Sequence, residues 1–156
     1  MNPHAGTASH TSRLIKASPA AVYRAFTEPS SLEEWLVPSG TTGTIHHFEP
    51  GVGGGYRMEL TWMEPGSDRG EGFEQEDHYT AKFVELVPDR RIVMAIKYEN
   101  PDHKWSGEIM MIVTLAGEGG GTLVTIDFDN LPATITPADN DAGTRSALEK
   151  LARYLE

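Results

Sequence analysis

The stretch Thr136 to Glu156 constrains this chain more than any other. Leu148, Leu151 and Leu155 recur at spacings of three and four, while Arg145, Glu149, Lys150 and Arg153 fall elsewhere around the wheel, which is the pattern of a helix with one buried stripe. Thr136 followed by Pro137 opens it, with Thr as the cap and Pro in the first turn, where its missing N–H costs nothing. One amphipathic helix cannot bury its own stripe, so the rest of the chain must supply a surface to cover it. What fits between helix and surface is the functional question.

The sequence upstream of that helix supplies mostly strands. Ser12 to Ala17 reads as a short strand whose register is open, because Leu14 and Ile15 stand side by side. Ser18 and Pro19 start a first short helix with Val22 and Phe26 on one face, and Pro29 ends it. Ser30 and Ser31, each with a glutamate three residues on, predict a second short helix carrying Trp35 and Leu36 and halted by Pro38. The period then changes to two. After a weak strand at Thr44 to Glu49, Tyr56, Met58, Leu60 and Trp62 alternate with Arg57, Glu59 and Thr61, the strongest strand signal in the chain.

Glu64 to Asp77 reads as an exposed hairpin loop, followed by a strand with Tyr79, Ala81 and Phe83 on one face. Ile92, Met94, Ile96 and Tyr98 mark the next strand, and Asn100-Pro101-Asp102 a turn. Two further runs, Trp105 to Leu115 with Met111, Val113 and Leu115 inward and Thr122 to Phe128 with Val124, Ile126 and Phe128 inward, flank a glycine-rich hairpin loop. The order is strand, two helices, six strands, long helix. Sequential hairpins predict an antiparallel sheet whose apolar face the helices cover, an α+β domain.

At 156 residues the chain is read as one domain from about residue 11, preceded by a tail over residues 1–10. The net charge of −10 repels phosphate backbones and anionic membrane surfaces, so neither nucleic acid nor membrane is expected as a partner. No cysteine is present, which excludes disulfides and thiolate chemistry. The N-terminus lacks the pattern of a secretory signal, no run nears the ~18 apolar residues of a membrane span, and a cytoplasmic location is expected.

Gly51, Gly53, Gly54 and Gly55 resemble a phosphate loop only superficially, since they lead into a strand and lack the Gly-Lys-Ser/Thr ending. A turn or bulge with close backbone approach is the reading taken. His46, His47, Glu49, His78 and His103 lack the spacing of a zinc enzyme, and Glu71, Glu74, Glu76 and Asp77 lack a calcium-loop pattern, so no metal is expected. No cofactor motif and no catalytic motif is found, which leaves the catalytic residues unknown.

The remaining signal is a stock of large, adaptable side chains at inward positions: Tyr56, Met58, Trp62, Tyr79, Phe83, Met94, Tyr98, Trp105 and Met111. They either fill the core or line a cavity, and the aromatic residues with polar tips favour a cavity, because a buried O–H or N–H needs a partner.

The runs ASPAAVYRAFTEPSSLEEWLVP, VGGGYR, FVELVPDRRIVM, GGGTLVTI and GTRSALEKLARYLE, in that order, resemble the family of proteins similar to the activator of heat-shock protein 90 ATPase, within the START-like (SRPBCC) helix-grip superfamily. The resemblance implies a helix-grip fold: a curved antiparallel sheet of about 6–7 strands wrapped around a long C-terminal helix, with two short helices after the first strand. It also implies an apolar cavity between sheet and helix, and adds Trp35, Thr144 and Leu148 to its candidate wall. The chain departs from the family pattern in three places: Gly143 is followed by Thr144 where relatives often carry Trp, Glu49 replaces an Asp, and Ala81 replaces a Gly.

Three functions are in view. The first is a binder of a small, largely apolar molecule. The second is a cyclase- or hydrolase-type enzyme using His78, Glu108 or Tyr79 as acid or base. The third is a protein-interaction or co-chaperone-like module, with a homodimer left open.

Overall fold

The computed structural model describes residues 8–36, 41–64, 73–98, 108–131 and 136–156. Trp105, His103, the turn at Asn100-Pro101-Asp102 and the centre of the predicted loop between Glu64 and Asp77 lie outside them. The chain runs β1 (Ser9–Ile15), α1 (Pro19–Thr27), α2 (Pro29–Trp35), β2 (Thr41–Glu49), β3 (Gly55–Glu64), β4 (Phe73–Val87), β5 (Arg91–Tyr98), β6 (Ile109–Glu118), β7 (Gly121–Asp129) and α3 (Pro137–Leu155). Seven antiparallel strands form one curved sheet in the order β1-β7-β6-β5-β4-β3-β2. β1 and β2 are therefore opposite edges, and α1 and α2 carry the chain from one to the other.

The caps read from sequence hold for α1 and α3. Ser18 Oγ accepts from the Ala21 amide at 3.1 Å, and Thr136 Oγ1 from the Asp139 amide at 3.0 Å. For α2 they do not hold. Pro29 occupies its first turn directly after an extended Glu28, the conformation that a following proline imposes, so Ser30 and Ser31 lie inside the helix. Glu33 is not a capping partner; its carboxylate accepts the Ile45 amide of edge strand β2 at 2.7 Å and anchors α2 to the sheet.

Register follows burial. On β1, Ile15 is fully buried and Leu14 faces solvent, which resolves the ambiguous pair. On β5, Val93 and Ala95 are buried as well as Ile92, Met94 and Ile96, the strand lying at the centre of the sheet between β4 and β6. On β2 the register shifts between His46 and Glu49, with His47 at φ 54, and this bulge lets both Ile45 and Phe48 pack on the core.

The glycine-rich turn behaves as a close backbone approach. Gly53 N–H donates to Phe83 O at 2.9 Å and Phe83 N–H to Gly54 O at 2.9 Å, which laps the turn onto β4. At Gly55, with φ +148, a Cβ would sit 2.0 Å from Ala81 O, so only glycine fits.

α3 packs Leu148, Leu151 and Ala152 into the core beside Val22 and Phe26 of α1. Polar contacts fix its position along β1. The Thr11 hydroxyl donates to the Asp141 carboxylate, Asn140 Nδ2 donates to Ser9 Oγ at 2.7 Å, and at the other end the Lys16 amide donates to Glu156 Oε2 at 3.1 Å. Thr11 first, and then Arg145 at 2.8 Å, hold the Asp141 carboxyl below the usual carboxylate range.

Gly55→Ala is expected to destabilise the fold by about 2–3 kcal/mol. Gly143→Ala, in mid-helix with open space at the Cβ position, is expected to stabilise it by about 0.5–1 kcal/mol. Urea midpoints check both. Because the folded-state pKa of Asp141 is depressed, its contribution is present above the unfolded carboxylate pKa and is lost as pH falls through the folded one. Asp141→Asn should therefore lower stability at neutral pH and flatten its acid slope, as read from denaturation at stepped pH.

Candidate functional site

The apolar stripe of α3 stops short of its N-terminus. Upstream of Leu148 the side of the helix toward the sheet carries Ala147, Thr144, Gly143 and Asn140, which are too small or too polar to fill the space above the sheet. A cavity of about 330 Å³ remains there. Its sheet wall consists of Tyr56 and Leu60 of β3, Tyr79 of β4, Ile96 of β5, and Ile109 and Met111 of β6. Ile126 and Phe128 of β7 complete that wall, and Trp35 and Leu36 at the end of α2 close one side. Exposed Asp139 and Gly143 stand on the α3 side.

Local structure fixes these side chains. Trp35 packs edge-on against Phe26 at 4.8 Å and donates its indole N–H to Ala25 O at 2.9 Å, so its orientation is locked. Tyr56 stacks with Phe48 at 6.1 Å and meets Phe83 and Tyr79 edge-on at 6.1 and 6.4 Å. Its hydroxyl lies 4.0 Å from Met94 Sδ and is hydrogen-bonded by Tyr79. Burial pushes the Tyr56 phenol well above the ordinary tyrosine range, only partly offset by the Tyr79 hydrogen bond, so it stays a neutral phenol. The Thr144 hydroxyl donates to Asn140 O at 2.8 Å.

The residues singled out from sequence separate into groups. Trp35, Tyr56, Tyr79, Met111 and Thr144 line the cavity. Met58, Phe83, Met94 and Leu148 are fully buried in the packed core and do not line it. Trp62 and Tyr98 belong to β3 and β5 with side chains outside the described residues, and Trp105 lies outside them altogether. Sequence reasoning missed the aliphatic wall of Leu36, Leu60, Ile96, Ile109 and Ile126, because a core isoleucine and a cavity isoleucine read alike. It also missed Asn140 and Ala147, although the thinning of the α3 stripe marks them.

Of the acid–base candidates, Tyr79 is on the wall. His78 is on the opposite face of the sheet, its Nε2 3.3 Å from Glu59 Oε2, and exposed Glu108 is not part of the wall. Among the described residues no group of three or more His, Asp or Glu is placed to hold a metal ion, and no helix is long and apolar enough to cross a membrane.

A curved antiparallel sheet holding a C-terminal helix over an apolar space defines a helix-grip domain of the START-like class. The chain belongs to the family of Activator of Hsp90 ATPase homolog 1-like proteins, whose pattern matches residues 16–156. A crystal structure of a Chromobacterium violaceum protein is similar at 28% identity and TM-score 0.81, covering 99% of both chains. A Rhodobacter sphaeroides protein is similar at 24% identity and TM-score 0.73 over 99% of this chain and 95% of its own. An AHSA1-like protein from Aeromonas hydrophila is similar at 23% identity and TM-score 0.69 over 94% and 90%. No curated protein matches the sequence.

A raised phenol pKa carries a testable sign. Above the ordinary tyrosine value of 10.0 the unfolded chain ionises at this position while the native state keeps its proton, so the contribution of Tyr56 to stability declines as pH rises. Tyr56→Phe should lose less stability than the parent between neutral and strongly alkaline pH, measured by urea unfolding. The late-titrating part of the native parent's phenolate absorbance should shrink in Tyr56→Phe.

Proposed function

We propose that this protein is a non-enzymatic binder of a small, largely apolar molecule held between the sheet and the N-terminal half of α3. The cavity carries the reading: about 330 Å³, just above the ~300 Å³ at which ligand pockets begin. A space this size walled by aliphatic and aromatic side chains loses packing contacts when empty and regains them when an apolar molecule enters. Locked Trp35 and the stacked Tyr56 give it a preformed shape, which lowers the ordering cost of binding.

The enzymatic alternative has less support. Of its three candidate groups only the Tyr79 phenol reaches the wall, and neither an imidazole nor a buried carboxylate is found among the described lining residues. For an interaction module, the exposed large apolar residues among the described ones include two that are far apart in the sheet. Leu14 and Val84 lie on β1 and β4, with three strands between them.

Trp35 supplies the assay. Fluorescence titration with fatty alcohols, amines, acids and aromatic polyketides should give a saturable shift for some of them, and Trp35→Phe should remove most of it. Thr144→Trp, which places bulk into the cavity, should weaken binding on the order of tenfold or more, with Ala147→Leu as a milder filling variant. A flat response across the panel would sink the reading.

A further inference from the structure

Most of the polar hydrogens on the described cavity wall are already engaged. The Trp35 indole N–H goes to Ala25 O, the Thr144 hydroxyl to Asn140 O, and the Tyr79 hydroxyl to Tyr56, whose own hydroxyl points to Met94 Sδ. Asn140 uses one amide N–H on Ser9 Oγ and keeps one. What these groups still offer is lone pairs, on the Thr144 oxygen, the Asn140 amide oxygen and the Asp139 carboxylate. Asp139 is also the one charged side chain among the described lining residues. The first turn of α3 adds few donors: Pro137 has no N–H, and the Asp139 and Asn140 amides are bonded to Thr136.

An acceptor-rich, donor-poor wall selects by chemistry. A carboxylate entering it sheds water and finds, among the described lining residues, neither a counter-charge nor a set of free N–H groups, which is costly. A hydroxyl or ammonium brings the missing hydrogens, and the ammonium gains charge-assisted bonds.

Building on the binding function proposed above, we infer that the cavity takes an amphiphile whose polar end is a hydrogen-bond donor, a primary ammonium first and a hydroxyl second, and rejects carboxylates of equal chain length. Charge on the whole chain, at −10, points the same way, so the test must separate the site from the surface.

Dissociation constants for decylamine, 1-decanol and decanoic acid, each kept below its micelle concentration, are read from Trp35 fluorescence at low ionic strength. The amine is expected to bind on the order of tenfold more tightly than the acid, with the alcohol between them. Asp139→Asn should shrink the amine-to-alcohol affinity ratio by up to about fivefold, the ceiling for an exposed ion pair. Thr144→Val, which removes a hydroxyl acceptor from the wall at nearly constant volume, should weaken amine and alcohol together and leave the acid unchanged. Acid binding equal to or tighter than amine binding would overturn the inference. So would an amine-to-alcohol ratio that is the same in Asp139→Asn and the parent, since the preference would then belong to the net charge. If all three bind without order, this inference alone fails; if none binds, the binding function fails with it.

Discussion

Everything about the site depends on how α3 is seated. Leu148 and Leu151 are wholly removed from water against the sheet, an arrangement whose loss by truncation would cost about 2–5 kcal/mol per leucine. Those contacts belong to the C-terminal half of the helix. Its N-terminal half is held by polar contacts to β1, through Thr11, Ser9, Asp141 and Asn140, so it stays in place without filling the space beneath it. One rigid element thus has a packed half and a hollow half, and the cavity is the hollow half.

The wall opposite is equally prepared. The bulge at His47 brings Phe48 onto the core, where it stacks on Tyr56, and the glycine turn lapped onto β4 fixes the approach of β3 that positions this stack. Tyr79 then closes a chain of hydroxyls ending at the Met94 sulfur. Aromatic bodies with their tips already bonded give an apolar surface that needs no rearrangement before a guest arrives. Such a surface recognises shape and apolar area well and polar groups only selectively.

The fold was largely legible because period and punctuation agree along most of the chain. Alternation marks β3, β5, β6 and β7, and Thr136-Pro137 and Ser18-Pro19 mark the starts of α3 and α1. The signal failed where two local rules competed. At Pro29 the capping boxes of Ser30 and Ser31 lost to proline's own preference for a first helical turn. The cavity was half legible. Tyr56, Tyr79, Trp35 and Met111 stand out by type, whereas Ile96 and Ile126 line it and Met58 and Phe83 do not, because the outcome depends on which end of the sheet each occupies relative to α3. That is a tertiary fact with no periodicity of its own.

The position of β1 has a consequence for how the chain is made. Its strand pairing runs Ser9 to Phe128, so the first edge of the sheet closes only against the last strand, 119 residues later (128 − 9). During synthesis β1 must wait unpaired until β7 has left the ribosome. Such long-range closure is slow and leaves a strand edge exposed in the meantime. α3, whose seat includes β1, follows last. The pocket therefore comes into being only at the final step of folding, and a nascent or C-terminally truncated chain would carry the sheet's apolar face without the helix that makes it a container.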